Sequence, residues 1–198
     1  MQGDTLNIMT VASSLNKQSG TRVVILDVSD ALNDAGCNVD ILDLAKEQLP
    51  LVNTDTTFTA DYYATLKERV SKADAYILGT PDYHGGMSGA LKNFLDHFWK
   101  EFSGKLFAPI VASHEKGLTV HDQIRTVARQ CYSWSLPYAV SFNDKEDIAD
   151  GAVKGDYLRS RLEMLVGDVQ AYGKALATQR ENDLIGEEPG FMAQLRKK

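Results

Sequence analysis

The segment at residues 81–89, with the sequence PDYHGGMSG, combines residue types that suit contact with a flat ligand. Its three glycines permit positive φ and allow a planar molecule to approach the backbone closely. Pro81 fixes its own φ, and Tyr83 can present an aromatic face or a hydroxyl group. The pattern predicts a site for a planar heterocycle, and a glycine-rich turn that binds no ligand is the alternative.

A second segment, SSLNKQSG at residues 13–20, has the composition of a phosphate-binding turn. Its serines and Asn16 supply polar side chains, and a helix is predicted to begin near Gly20. The start of a helix offers free backbone N–H groups and the positive end of the helix dipole, which together favour an anion. The sequence leaves open whether Ser19 contacts a ligand or only caps the helix.

A third candidate segment is the charged loop at residues 113–118, which follows a predicted buried strand. His114 and Lys116 could supply positive charge to a bound anion, whereas charged loops of this kind are more often simply solvated. Both interpretations stay open. The loop is a candidate because of its position at the end of a strand, where ligands bind in open α/β sheets.

Apolar residues alternate along the chain between short runs and stretches at helical spacing. This alternation of strand and helix predicts a parallel sheet covered on both faces, with right-handed connections. The three candidate segments then lie at the carboxyl ends of neighbouring strands. The predicted strands are residues 6–12, 37–44, 73–80, 105–113 and about 137–142, and the helices are marked by residues 24–32, 62–73, 88–99, 119–134 and 158–176.

Composition indicates one ordinary globular domain of 198 residues, of which 43% are hydrophobic. The net charge of −6 and the scattered basic residues argue against a nucleic-acid surface. The lack of a long apolar run or of a basic N-terminal leader predicts no membrane insertion and a cytoplasmic location. Cys37 and Cys131 lack the spacing of a metal or redox site and are predicted to be inert thiols.

The stretch PDYHGGMSGALKNFLDHF resembles the P-E-Y-N-G-S-x-x-G-x-L-K-N-x-L-D segment of the NADPH-dependent FMN reductase family. The turn at residues 13–19 is similar to that family's G-S-x-R-x-x-S turn. Ser13 stands at the glycine, Ser14 and Ser19 stand at the serines, and Asn16 stands at the arginine. The order of strands and helices agrees over about residues 6–176.

The resemblance implies a flavodoxin-like α/β fold, with a five-stranded parallel sheet of order 2-1-3-4-5 and helices on both faces. We expect an FMN-binding domain at residues 1–178, and the polar composition of residues 179–198 predicts a C-terminal tail. The resemblance also implies FMN phosphate on the first turn and the isoalloxazine ring on residues 81–86. The expected cofactor-binding residues are Ser14, Asn16, Ser19, Gly20, Thr21, Pro81, Asp82, Tyr83, His84, Gly85, Gly86, Ser113, His114 and Gly117.

Three departures from the family pattern bear on the cofactor site. One is the loop at residues 114–117, HEKG, which stands where the family usually has a small, glycine-rich loop. Asn16 replaces an arginine, so phosphate binding could depend on Lys17 or Arg22 instead. His84 replaces an asparagine. Its imidazole could donate to a flavin oxygen or meet the substrate, or only its backbone N–H could contact the flavin while the side chain faces solvent.

The resemblance implies an oxidoreductase in which NADPH or NADH reduces FMN at N5 and a small acceptor, such as a quinone, a flavin or an azo compound, is then reduced. No catalytic side chain and no metal are expected, because the flavin carries the chemistry. The alternatives are a non-enzymatic, flavodoxin-like electron carrier and a phosphate-binding domain without redox chemistry.

The sequence also bears on oligomeric state. Lys92 and Asp96 are spaced to form a local ion pair, whereas the family resemblance assigns them to a subunit contact. The aromatic residues at 94–102 cannot all face one side of a helix, because successive residues turn by about 100°. We therefore expect a homodimer or a homotetramer.

Overall fold

The computed structural model describes residues 5–196, which form a parallel sheet between two layers of helices. The strands are β1 (Asn7–Ala12), β2 (Asn38–Asp43), β3 (Ala75–Tyr83), β4 (Gly86–Met87), β5 (Leu106–Ala112), β6 (Trp134–Ser135), β7 (Val140–Phe142), β8 (Ile148–Ala149) and β9 (Ala152–Val153). The helices are α1 (Gly20–Asp34), α2 (Asp61–Lys72), α3 (Gly89–Asp96), α4 (Leu118–Gln130), α5 (Asp144–Asp147) and α6 (Asp156–Ile185).

The sheet has the order β2-β1-β3-β5, and β6 and β7 follow on the outer side of β5. All of these neighbours pair in parallel, so the predicted flavodoxin-like order is confirmed. The fifth position is occupied by two short strands rather than one. β6 pairs with the start of β5 and β7 with its end, and the interruption contains Pro137, which has no N–H for a ladder hydrogen bond.

Each face of the sheet is covered by a separate set of helices. On one face, α1 and α6 bury apolar residues against β1, β3 and β5. On the other face, α2, α3 and α4 enclose a second core. α1 approaches β3 closely, since a Cβ at Gly79 would lie 2.5 Å from Ile25 Cγ1. This close packing holds the start of α1 near the carboxyl end of β3.

The helix predicted to reach Trp99 ends at Asp96, and a 3₁₀ turn follows at Lys100–Phe102. Phe94, Phe98 and Phe102 all pack into the same core. Trp99 is left 59% exposed. The three phenylalanines are four residues apart and share one side, whereas Trp99 turns about 100° away from Phe98, which agrees with its exposure.

The C-terminal residues that were expected to form a polar tail from residue 179 continue α6 to Ile185. A 3₁₀ helix at Phe191–Leu195 follows, and its Met192 is fully buried. Arg196 Nε donates a hydrogen bond to the carbonyl of Asp183, 2.7 Å away. This segment is polar because most of it is exposed, and it is nevertheless folded. Within residues 5–196, no helix is both long and apolar enough to cross a bilayer.

Candidate functional site

The first candidate segment connects β1 to α1 and is hydrogen-bonded to the neighbouring loop. Ser13 N donates to the carbonyl of Gly79, 3.1 Å away, in the middle of β3. The Ser13 hydroxyl donates to Ser88 Oγ at 2.8 Å, and Ser88 Oγ donates to the Ser13 carbonyl at 3.1 Å. Ser88 also caps α3 by accepting a hydrogen bond from Leu91 N. These bonds fix the first turn against the start of α3.

The N-terminus of α1 retains free hydrogen-bonding groups. Ser19 occupies the N-cap position, but its side chain makes no capping hydrogen bond. The purely structural role considered for Ser19 is therefore not observed. Thr21 Oγ1 is fully buried and has no partner within residues 5–196. Because buried polar atoms are nearly always paired, these hydroxyls and the first-turn N–H groups form a donor set that suits an anion.

The polar residues around this turn are partly committed to other contacts. Asn16 Oδ1 accepts a hydrogen bond from Gln18 N at 3.0 Å, and Ser14 Oγ accepts one from Asn16 N at 3.4 Å. Arg22 Nη2 donates to Asp43 Oδ1 at 2.8 Å, so its charge is already paired. Lys17 is exposed. Of the two cations considered in place of the family's arginine, only Lys17 is without a carboxylate partner in the described part of the chain.

The second candidate segment forms a hairpin that the sequence did not predict. β3 extends to Tyr83 and pairs antiparallel with β4, so that Tyr83 lies opposite Gly86. The two residues of the turn, His84 and Gly85, have φ values of 57° and 76°. Positive φ at both positions is the requirement of a type I′ turn, for which Asn-Gly is preferred. The His-Gly pair at 84–85, in place of the family's Asn-Gly, was the available signal.

Side chains from two other elements fix this hairpin. Asp82 Oδ1 accepts from Gly85 N at 2.8 Å, and its Oδ2 accepts from Ser113 Oγ at 3.0 Å. Gln123 of α4 accepts from Met87 N at 3.1 Å and donates to the Gly85 carbonyl at 3.2 Å. The carboxylate of Asp82 is thus used to join two loops. The side chains of Tyr83 and His84 are exposed.

The third candidate segment lies at the end of β5. Ser113 is buried and donates its backbone N–H to the Phe142 carbonyl at 2.9 Å, whereas His114 and Lys116 are exposed. Gly117 has a φ of 57° at the start of α4, and a Cβ there would lie 2.7 Å from Val111 Cγ1. This close approach explains why the loop turns sharply at a glycine.

A buried histidine supports the third loop from behind. His121 Nε2 donates to Ser141 Oγ at 2.8 Å, and Ser141 Oγ donates to the Lys116 carbonyl at 2.7 Å. Burial lowers the pKa of His121 to about 4, so the ring is neutral at pH 7. Sequence reasoning missed His121, because its partner Ser141 comes from another element.

A cavity of about 710 Å³ opens beside the third loop, between α4, the end of β7 and the start of α6. Its volume is in the range of small-molecule sites. The cavity shares Ser113 and His114 with the predicted site, but the first turn and the hairpin do not line it. Its walls carry both signs of charge, including Arg125, Arg161 and Asp122.

The structure brings the three predicted segments to one edge of the sheet, at the carboxyl ends of β1, β3 and β5. Ser13–Ser88 and Asp82–Ser113 hydrogen bonds join them into one surface. The predicted residues at this edge are Ser14, Asn16, Ser19, Gly20 and Thr21 on the first turn, Pro81, Asp82, Tyr83, His84, Gly85 and Gly86 on the hairpin, and Ser113, His114 and Gly117 on the third loop.

The model of the NADPH-dependent FMN reductase family matches residues 6–147, which include all three segments. The chain belongs to this family. It is 28% identical to an NADPH azoreductase from Bacillus sp. (strain OY1-2) over 171 residues, which cover 84% of this chain and 92% of that protein. It is 28% identical to an FMN-dependent NADPH-azoreductase from Staphylococcus haemolyticus (strain JCSC1435), with 68% of this chain and 78% of that protein covered.

A solved structure supports the fold assignment. The flavoenzyme NAD(P)H:acceptor oxidoreductase from Paracoccus denitrificans superposes with a TM-score of 0.66 at 21% identity. The match covers 88% of this chain and 98% of the other. At this level of identity, the likeness demonstrates a shared fold.

Proposed function

We propose that the chain is an FMN-dependent NAD(P)H oxidoreductase that reduces small acceptors such as quinones, flavins or azo compounds. The observation that carries the proposal is the hairpin at residues 81–87 at the carboxyl edge of the sheet. Asp82 bonds it to Ser113 of the third loop, and the adjoining Ser88 is bonded to Ser13 of the first turn. Family membership supports the same assignment. The names of the two azoreductase relatives support azo compounds among the acceptors.

The residues at the edge fit FMN in two respects. The first turn provides the Ser19 hydroxyl, the unpartnered Thr21 hydroxyl and the first-turn N–H groups for a phosphate. The hairpin provides a backbone free of large side chains at Gly85 and Gly86 for a planar ring. We assign the phosphate to Ser14, Asn16, Ser19, Gly20 and Thr21, and the ring to residues 81–86 with Ser113, His114 and Gly117.

When bound, FMN supplies the hydride-transfer chemistry. The protein's own residues bind and orient it. Asp82 and Gln123 hold the hairpin in one conformation, so the backbone N–H groups of Gly85 and Gly86 are preorganised donors. The N–H of Gly85 is already shared with Asp82 Oδ1, and Gly86 is paired with Tyr83 across the turn. No side chain of the edge needs to act as a nucleophile.

We also propose that the protein is a homodimer or homotetramer that assembles through the α3–α4 face. This face is defined by two adjoining grooves lined mainly by Met87, Lys92, Leu95, Phe98, Trp99, Thr126 and Val127. Lys92 Nζ lies 2.6 Å from Asp96 Oδ1 in an exposed ion pair within α3. The exposed Trp99 supports burial of this face in an assembly.

We also propose that the protein is cytoplasmic. Both cysteines are free thiols, and burial raises the pKa of Cys131 to about 11, so its thiol is unreactive. Free thiols are typical of a reducing compartment, which also supplies NAD(P)H.

The spectrum of the purified protein tests the proposed function. We expect a flavin absorbance after incubation with FMN and desalting, and rapid anaerobic bleaching on addition of NADPH or NADH. Bound FMN that nicotinamides do not reduce, but that a reductase partner does, would favour the electron carrier. A protein that takes up no FMN would refute both.

A further inference from the structure

The segment between β7 and α6 folds over the start of α1. It consists of α5 and the β8–β9 hairpin. Val153 is buried in the core that α1 and α6 share, and Ile148 Cγ1 lies 3.2 Å from the position of a Cβ on Gly20. Asn143 N donates to Asp147 Oδ2 at 2.8 Å, and Lys154 N donates to the Asp147 carbonyl at 2.9 Å. The segment is therefore anchored next to the first turn.

This segment brings Asp144 against the N-terminus of α1. A Cβ on Gly20 would lie 2.8 Å from Asp144 Cγ, and the backbone N–H of Gly20 faces the carboxylate. The carboxylate thus occupies the space that any side chain at residue 20 would need. A negative charge at this position is stabilised by the helix dipole and by the first-turn N–H groups. These are the same donors that we assign to the FMN phosphate.

No ion pair within residues 5–196 restrains the carboxylate of Asp144. No Lys or Arg nitrogen of residues 5–196 lies within 4 Å of its carboxylate, since none forms an ion pair with it. His114, on the loop after β5, is a titratable group that faces it from another element. Partial burial against α1 raises the pKa of Asp144, and His114 opposes this shift. The outer side of Asp144 is exposed, so the side chain can turn into solvent.

We propose that Asp144 competes with the phosphate of FMN for the N-terminus of α1 and thereby lowers FMN affinity more at high pH than at low pH. The inference rests on the proposed function. Two anions cannot share one set of donors without mutual repulsion, so binding of the phosphate requires Asp144 to move away or to be protonated. A phosphate group loses its second proton at about pH 6, so its charge and its repulsion from the Asp144 carboxylate both increase as the pH rises.

The competition makes a distinctive prediction for riboflavin, which has the ring and the ribityl chain of FMN but no phosphate. Asp144 does not oppose riboflavin by charge, so its removal should leave riboflavin affinity unchanged. Asp144 therefore determines the preference between the phosphorylated and unphosphorylated flavin.

The test measures dissociation constants by quenching of flavin fluorescence in the cofactor-free full chain. The proteins are wild type, Asp144→Asn and Asp144→Ser, and the ligands are FMN and riboflavin at pH 5.5 and pH 8.0. Glu146→Gln is the matched control, because it removes the same charge from an exposed position of α5. Circular dichroism checks that each variant folds.

We expect both Asp144 variants to bind FMN at least about tenfold more tightly than wild type at pH 8.0, with a smaller gain at pH 5.5. Riboflavin affinity, and the affinities of Glu146→Gln, should stay within about twofold of wild type. Equal or weaker FMN binding by the Asp144 variants would overturn the inference while leaving the proposed function intact. If none of the proteins quenches FMN at either pH, the proposed function itself is wrong.

Discussion

The backbone conformation of His84 restricts which residue types this position accepts. Its φ of 57° lies in the left-handed region, where Asn, Asp and His occur more often than other non-glycine residues. The exposed side chain makes no hydrogen bond within the described residues. We interpret the exchange of the family's asparagine for histidine as a substitution between two residues that tolerate this turn.

This interpretation predicts that one substitution of His84 is neutral and that another destabilises the fold. His84→Asn should leave the free energy of unfolding within about 0.5 kcal/mol of wild type and change FMN affinity less than twofold. His84→Val should lower the free energy of unfolding by about 1–3 kcal/mol, because a β-branched residue is strained at positive φ. Urea denaturation and FMN titration measure both. A tenfold loss of FMN affinity in His84→Asn would instead indicate a direct contact of the imidazole with the ligand.

His121 predicts a pH dependence of stability. Its pKa is about 4 in the folded protein, below the ordinary value near 6.5, because the ring is buried. Between these values the unfolded chain binds a proton that the folded protein does not. The free energy of unfolding should therefore fall as the pH drops from about 6.5 to 4, by up to about 1.4 kcal/mol per pH unit.

Denaturation at several pH values, compared between wild type and variants, isolates this contribution. Below about pH 6.5, the free energy of unfolding of His121→Gln should depend less steeply on pH than that of wild type, because glutamine does not titrate. His114→Gln, which alters an exposed histidine near the same loop, should keep the wild-type slope. Equal slopes in wild type and His121→Gln would mean that His121 is protonated in the folded protein.

At the residue scale, the sequence predicted those site positions whose neighbours along the chain carry the pattern. Ser14, Ser19 and the segment at 81–86 lie in short local motifs, and the structure brings them to one edge. Asp144 and His121 had no such signal, because each acts on a loop from a different element. Their roles depend on tertiary contacts that spacing along the chain does not encode.

The hairpin at residues 81–87 depends on hydrogen bonds from the neighbouring helix α4. Gln123 makes two hydrogen bonds to its backbone from the exposed surface of α4. Gln123→Ala should weaken FMN binding by about three- to tenfold, because each bond contributes about 0.5–1.5 kcal/mol and the turn loses its fixed conformation. Titration of FMN into the cofactor-free protein measures the change.

Gln130→Ala is the control for this prediction. Gln130 is also an exposed glutamine of α4, but its side chain makes no hydrogen bond within residues 5–196. Its backbone carbonyl accepts from Trp99 Nε1 at 3.1 Å. Its FMN affinity should equal that of wild type. A loss of affinity in Gln130→Ala as large as in Gln123→Ala would point to a general effect on α4 and not to the hairpin.

At the scale of elements, the order of strands and helices was predictable and their ends were less so. The spacing of apolar residues predicted the alternation of strands and helices and a sheet covered by helices on both faces. The extension of β3 to Tyr83, the split into β6 and β7, and the continuation of α6 to Ile185 were not predicted. Each departure occurs where hydrogen bonding, a proline or a polar surface overrides the apolar pattern.

The whole molecule carries an apolar face on the side of the sheet where α3 and α4 pack. Trp99 is 59% exposed there, and partly buried Val127 and Met87 adjoin it. Exposed apolar surface of this kind marks interaction sites. The same helices support the hairpin, because Gln123 belongs to α4 and Ser88 caps α3. Assembly through this face would therefore be coupled to the conformation of the cofactor site.

Trp99→Glu should shift the protein from an oligomer toward the monomer, because it introduces a charge into the proposed contact. Sedimentation velocity over a range of protein concentrations measures the shift. Tyr172→Glu is the matched control, since Tyr172 is 55% exposed on α6 at the opposite face of the sheet. This variant should sediment as wild type does. If wild type is a monomer at all concentrations, or if Tyr172→Glu dissociates the oligomer and Trp99→Glu does not, the contact does not involve the α3–α4 face.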